Sequence, residues 1–407
     1  MQNIFQLQEA YRQAQAKGLQ LDMSRGKPGA EQLALSDELL DARWVTPAKT
    51  EAGFDCRNYG LLEGIPEARR LFAEMLDVPA DWVLASNNAS LQLMYDYLAQ
   101  CMLFGAGGAP WAQQGKIKFL CPAPGYDRHF GMLELLGIEM LNVDMLADGP
   151  DMDQAEALAQ DPAVKGLICV PKYSNPEGKT YSEAVVRRFA SMKTAAEDFR
   201  VIWDNAYLVH DLYDETDFLL NVFEAAKEFD TKDRFIEVTS FSKITFPGGS
   251  MSALAASPAN LKLILKRMGM QTIGPDKLNQ LRHARYFKDL AGVNAHMQKH
   301  AAILKPKFEA VLEILERELT GLAAWTAPRG GYFISLDLPA GCAKRTAQLC
   351  KEAGVALTPA GATFPYGNDP QDKNLRIAPT FPPTNELIAA TELLCLCAKI
   401  AAAEAKA

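Results

Sequence analysis

The chain has no run of about 18 uninterrupted apolar residues, the length a helix needs to cross a bilayer, so no transmembrane span is expected. Its opening, MQNIFQLQEAYRQAQAKG, lacks the basic start and long apolar stretch of a secretory signal and reads as an amphipathic helix. No internal repeat or low-complexity tract is visible. Lys and Arg form no runs and the formal charge is −8, which argues against a footprint for nucleic acid or an anionic membrane. The eight cysteines are scattered and sit mostly in apolar surroundings, which suits buried thiols in a reducing cytoplasm rather than a disulfide framework. Cys395 and Cys397, two apart in ELLCLCAKI, would diverge on a helix and make no metal site.

What is present is ordinary globular material: 407 residues, 48% of them apolar and 23% charged. That length exceeds one domain of about 150 residues and predicts a large and a small lobe. From about residue 60 to 245, short apolar runs alternate with helical stretches: KIKFLCP, IEMLNVD, VKGLICVP, FRVIWDN and RFIEVTSFS. Alternation of this kind predicts an α/β domain with a mostly parallel sheet, and runs apolar throughout predict strands covered on both faces. Long helical segments over 258–320 lead to a second lobe containing GGYFISLDL, GVALTPA and a C-terminal helix over 384–405. The expected divisions are 1–50 for an arm packed with the small lobe, 51–300 for the large domain and 301–407 for the small one.

Several residues carry chemistry by position. Lys243 leaves the end of a buried strand beside Ser240 and Ser242; burial lowers an amine's pKa and frees its lone pair, which a Schiff-base lysine requires. Asp204 ends FRVIWD 39 residues earlier, with Tyr207 after it, and points toward the crevice where α/β sheets bind ligands. Asn175, 29 residues before Asp204, lies in the turn sequence KYSNPEGKT. The Gly178-Lys179-Thr180 of that stretch is no P-loop, because Tyr173 stands where the motif requires glycine. Asn88, Ala89 and Ser90 precede the helical LQLMYDYLAQ, and a helix N-terminus presents unpaired N–H groups suited to phosphate. Tyr126, in CPAPGYDRH, follows another strand and offers a ring to a flat cofactor. The glycines of FGAGGAP do not sit between a strand and a helix, so they read as a loop. His296 and His300 share a helix face at i, i+4; without a third ligand they read as a solvated surface pair.

In this order, the pieces resemble the fold-type I aminotransferases that depend on pyridoxal 5′-phosphate (PLP), and within them a bacterial subgroup of aspartate aminotransferases marked by the arm sequence SRGKP. The resemblance runs from Arg25 to Arg376. It implies Lys243 as Schiff-base lysine and proton shuttle, Asp204 as partner of the pyridine nitrogen, and Tyr126 as the stacking ring, these three forming the catalytic set. It implies Asn175 and Tyr207 as donors to the phenolate oxygen. Ala89, Ser90, Ser240 and Ser242, with Asn88 beside them, are implied to hold the phosphate. Tyr59, in RNYGLLEGIPEARR, matches a tyrosine that reaches across a homodimer interface to the other subunit's phosphate. Arg376, in NLRIAPTF, matches the arginine that grips the substrate α-carboxylate, where Asn175 also contributes, and Gly26 matches the arm glycine lying over the substrate. Where most relatives carry a phosphate-binding arginine about eight residues past the lysine, this chain has Met251.

The implied reaction is a ping-pong amino transfer between amino-acid and 2-oxo-acid substrates, with aspartate and 2-oxoglutarate the favoured pair. A dicarboxylate demands a second cation; Arg25 is the first candidate and Arg329, in PRGGYF, the second. A PLP-dependent lyase or decarboxylase would use nearly the same residues. A PLP-binding transcriptional regulator would need a DNA-binding module ahead of the fold, and an arm of under 30 residues leaves no room for one. A silent homologue would be expected to lose Lys243 or Asp204, and both are present.

Overall fold

A computed structural model describes residues 4–406; the first three residues of the expected opening helix lie outside that range. Eight strands form the main sheet. Across it they run Val83–Ser86, Ser252–Ala256, Phe235–Ser240, Arg200–Asp204, Val164–Cys169, Lys118–Ala123, Glu139–Leu146 and Gly149–Pro150. The five from Phe235–Ser240 to Glu139–Leu146 pair parallel, while Ser252–Ala256 is antiparallel to both its neighbours. The expected α/β architecture with a mostly parallel sheet is therefore what the chain adopts.

Continuous apolar runs make these strands for a physical reason: successive side chains leave opposite faces, and both faces are covered. On Arg200–Asp204, Val201 and Trp203 join one core cluster and Ile202 joins the other. Every residue of that strand is buried, as is every residue of Val164–Cys169 and Phe235–Ser240.

A third core cluster gathers residues from 304–402 with Leu7, Tyr11 and Met23 and with Val170, Tyr173, Tyr207 and Leu212. The helix Ile4–Gln15 lies against this part, and Tyr11 donates its hydroxyl to the Leu349 carbonyl at 2.8 Å. Leu21–Asp22 pairs parallel with Val355–Ala356, so only two residues of GVALTPA are strand. An antiparallel three-stranded sheet combines Ala324–Trp325, Ile334–Asp337 and Asn374–Ile377, and the helices Leu290–Leu319 and Thr384–Glu404 pack beside it. All eight cysteines are free and buried. Among the described residues no helix is long and apolar enough to cross a membrane.

One reading is overturned. His296 and His300 are not a solvated pair: they are 3% and 1% exposed, and their Nε2 atoms lie 3.2 Å apart. Spacing alone shows that two side chains share a helix face, but this face is turned inward, and both imidazoles meet the carbonyl of Ile244 at 3.0 Å.

Candidate active site

The carboxyl ends of the parallel strands converge, which is where open α/β sheets leave a crevice for ligands. A cavity of about 170 Å³ opens there, lined by Ala89, Ser90, Tyr126, Asn175, Asp204, Tyr207, Ser240, Ser242 and Lys243, among others. Residues from five separate stretches of chain are thus brought together as expected.

The helix Ser90–Phe104 begins at one edge of this cavity. Its N-cap is Ala89, and no side chain caps it. Some helices of the chain have side-chain caps, as at Ser182, Asn221, Asp276 and Asp289, which each accept from backbone N–H groups of the helix they precede, while others, such as Pro66–Leu76 and Asp127–Leu135, have none. No side chain accepts from the first-turn N–H groups at Ser90, an arrangement that suits an anion. The preceding loop is tied to the lysine segment, since Ser242 Oγ donates to the Asn88 carbonyl at 3.0 Å and Asn88 Nδ2 to the Pro247 carbonyl at 3.2 Å. Asn88 is exposed and stands beside the cavity rather than lining it. Met251, standing where relatives of the resembled family carry an arginine, is fully buried in the core under the sheet.

Asp204 lies at the opposite side of the set. It is 3% exposed; Oδ2 sits 2.9 Å from His129 Nε2, while Oδ1 is buried with no hydrogen-bond partner. A buried carboxylate oxygen left unpaired costs about 1–3 kcal/mol or more, and a donor entering the cavity would satisfy it. Sequence reasoning missed His129. It stands three residues after Tyr126 on the next helical turn, and the two rings meet edge-on at 4.9 Å; an i, i+3 spacing inside CPAPGYDRH was the available signal.

Lys243 Nζ lies 4.9 Å from the centroid of the Tyr207 ring. Burial pushes its ammonium below the usual range; Asp204 opposes that shift and Arg376 reinforces it. Arg376 is 6% exposed and donates from Nη1 to Asp127 Oδ1 at 2.8 Å and to Asn175 Oδ1 at 3.0 Å, and from Nη2 to Thr358 at 3.3 Å. Its Nε has no partner, which leaves one edge of the guanidinium open. Because Asn175 turns its oxygen to Arg376, its amide hydrogens face the other way.

The arm lies nearby. A Cβ on Gly26 would come within 2.3 Å of the Phe333 ring, and that ring carries the Arg376 guanidinium 4.8 Å from its centroid. Arg25 is exposed and makes no ion pair among the described residues. Arg329 is engaged by Glu215 Oε2 at 3.1 Å and Asp217 Oδ1 at 3.6 Å. Tyr59 is 77% exposed and does not line the cavity. Taken together, an uncapped helix end with hydroxyls, an unpaired buried carboxylate oxygen and a desolvated amine suit a flat heteroaromatic phosphate carrying a carbonyl.

Comparison with known proteins agrees. The family model described as aspartate amino-transferase matches residues 2–407. An aspartate aminotransferase of Corynebacterium glutamicum is 47% identical over 402 residues, covering 98% of this chain and 93% of that protein. The solved structure of an aspartate transaminase from Corynebacterium glutamicum superposes with a TM-score of 0.96 at 46% identity, covering 99% and 96% of the two chains. The α-aminoadipate aminotransferase of Thermus thermophilus, solved with N-(5′-phosphopyridoxyl)-L-leucine, shares the fold with a TM-score of 0.79 at 23% identity, covering 97% and 95%.

Proposed function

Because this chain belongs to the aspartate aminotransferase family, and is a PLP-dependent aminotransferase, we propose that it exchanges amino groups between aspartate and 2-oxoglutarate by a ping-pong route. The observation that carries the reading is the convergence of Lys243, the unpaired Oδ1 of Asp204 and Asn175 at one cavity, with the Arg376 guanidinium held against Asn175 behind it. The choice of aspartate rests on the name of the Corynebacterium glutamicum relative and on the arm sequence Ser24–Pro28.

In this reading Lys243 binds the cofactor covalently. Ala89 and Ser90 at the helix start, with Asn88, Ser240 and Ser242, hold the phosphate. Asp204 would partner the pyridine nitrogen, Tyr126 would stack on the ring, and Asn175 and Tyr207 would donate to the phenolate oxygen. PLP, when bound, supplies an electron sink for the negative charge left at the substrate Cα. The chain's own residues do the rest. Asp204 keeps the ring nitrogen protonated, and His129 keeps Asp204 in place. Arg376 takes the α-carboxylate on its open edge and orients the Cα–H bond. Lys243, desolvated and therefore able to stay neutral, carries the proton away from Cα. The arm at Gly26 closes over the substrate and excludes water. We place the protein in the cytoplasm, in keeping with eight free buried thiols, and as a homodimer with shared sites.

The test is product analysis of purified protein with aspartate and 2-oxoglutarate. Oxaloacetate and glutamate in equal amounts are expected, with acidic donors favoured in a panel of amino acids. Release of carbon dioxide or ammonia in place of transfer would make the protein a lyase or decarboxylase. Borohydride reduction and peptide mapping should find the phosphopyridoxyl group on Lys243, and on no other lysine.

A further inference from the structure

The chain has five histidines, and all five are buried around two places in the site. His129 meets Asp204. The other four surround the segment that follows the lysine. His210 lies against the Tyr207 and Tyr332 rings, at 5.5 and 5.7 Å. His283 Nε2 meets Thr245 Oγ1 at 3.0 Å, and His296 and His300 meet the Ile244 carbonyl.

Proton positions along part of this cluster follow from its hydrogen bonds. The Gly29 N–H donates to Gln32 Oε1 at 3.2 Å, which fixes the orientation of that amide. Gln32 Nε2 then donates one hydrogen to His300 Nδ1 and the other to the Tyr332 hydroxyl, both at 3.0 Å. With Nδ1 accepting, the His300 proton sits on Nε2 and is given to the Ile244 carbonyl. The Tyr332 hydroxyl gives its own hydrogen to the Lys243 carbonyl at 3.3 Å. Gln32 therefore has two arms that end on the carbonyls of Lys243 and Ile244. It belongs to the short helix Ala30–Ala34, six residues after Gly26, the arm residue packed on the ring that carries Arg376.

We propose that Gln32, Tyr332 and His300 form a positioning relay, which couples the seating of the arm over the substrate site to the placement of the Lys243 backbone. None of the three is a catalytic residue; each acts through the carbonyls it holds. A satisfied network of this kind, in a dry interior, fixes one geometry because every alternative leaves a polar group unpaired. Neutral imidazole is the form it needs, and burial holds His300 down to about 4, assisted by His296. The inference rests on Lys243 being the attachment lysine, so borohydride mapping of the holoenzyme comes first and isolates that question.

Tyr332→Phe deletes one oxygen and keeps the ring. In the holoenzyme it should lower kcat by about tenfold with KM for aspartate within about twofold, because the base is misplaced while Arg376 is untouched. The midpoint of the pH titration of the bound cofactor's absorbance should rise by about half a unit, since a looser lysine admits water that favours the charged nitrogen. Gln32→Met should match it, and the double variant should be no worse than the worse single. His300→Gln, which keeps a side-chain N–H for the Ile244 carbonyl, should recover most of what His300→Phe loses. A Tyr332→Phe holoenzyme with normal kcat and an unmoved titration overturns the relay, as do losses that simply add in the double variant. A fall in Tm with both readouts unchanged would assign the network to stability alone.

Discussion

The two oxygens of Asp204 have different surroundings, and that difference sets what each substitution should do. Oδ2 is held by His129, while Oδ1 is buried without a partner. Asp204→Ala should retain cofactor, because the phosphate end of the site is untouched, yet lose several orders of magnitude in kcat. His129→Phe keeps the ring shape and removes the hydrogen bond; a loss of about ten- to a hundredfold in kcat is expected. Steady-state kinetics on cofactor-saturated enzyme check both, and near-normal turnover in Asp204→Ala would remove its assigned role. Specificity is a matter for arginines. Arg376 is pre-set by Asp127, Asn175 and Thr358, so Arg376→Met should cripple every amino donor. Arg329 is already engaged by two carboxylates, whereas Arg25, next to Gly26, is not. Arg25→Met should therefore cost aspartate roughly 2–4 kcal/mol, or about 30- to 1000-fold in kcat/KM, and spare alanine or an aromatic donor. An equal loss for all donors would give Arg25 a structural part only.

At the level of elements, the parallel strands were legible because apolar residues dominate each run, and in Val164–Cys169, Arg200–Asp204 and Phe235–Ser240 every position is buried. Asn175, Asp204 and Lys243 were legible because each follows the end of such a strand. Val83–Ser86 and Ser252–Ala256 were not: the first has four residues and the second, SALAA, mostly small ones, so neither carries the bulk of a buried strand. The cavity edge at Ser90 shows a second limit. Asn and Ser before a helix read equally as caps or as ligands in sequence, and the structure shows that no side chain caps the helix at Ser90. The helix Leu290–Leu319 shows a third, since spacing cannot reveal that the His296 and His300 face is covered by the Ile244 segment. That burial has a cost in acid. His283 and His300 are both held near about 4 against an ordinary 6.5, chiefly by desolvation. Below pH 6.5 the unfolded chain binds protons that the folded chain refuses, so stability present at neutral pH is lost as pH falls toward 4. The loss approaches roughly 3 kcal/mol per histidine. Urea denaturation at pH 7 and pH 5 should show it, with a smaller difference in His283→Gln; an unchanged difference would show that His283 titrates normally.

At the scale of the whole molecule, several exposed apolar side chains gather in one surface region. Tyr59, Phe104, Met270 and Ile273 are 77%, 54%, 89% and 60% exposed. They belong to one surface region: a Cβ on Gly274 would come within 2.4 Å of the Gly60 carbonyl, Gly269 approaches Leu62, and Arg267 packs over the Phe104 ring at 5.5 Å. A soluble protein rarely leaves such an apolar patch open, and a second copy would cover it. The same face carries Tyr59, which does not line its own chain's cavity, and among the described residues no arginine lines that cavity beside Ala89 and Ser90. A tyrosine hydroxyl arriving from the other subunit would supply a donor there. Subunit mixing tests this. Tyr59→Phe and Lys243→Ala homodimers are each impaired at both sites, whereas their hybrid combines one doubly damaged site with one intact site if Tyr59 serves its partner. Activity should then rise on mixing, toward the level of one native site per hybrid, in step with subunit exchange measured by differential mass labelling. Exchange without any gain would return Tyr59 to its own subunit and leave the patch as an interface with no part in the chemistry.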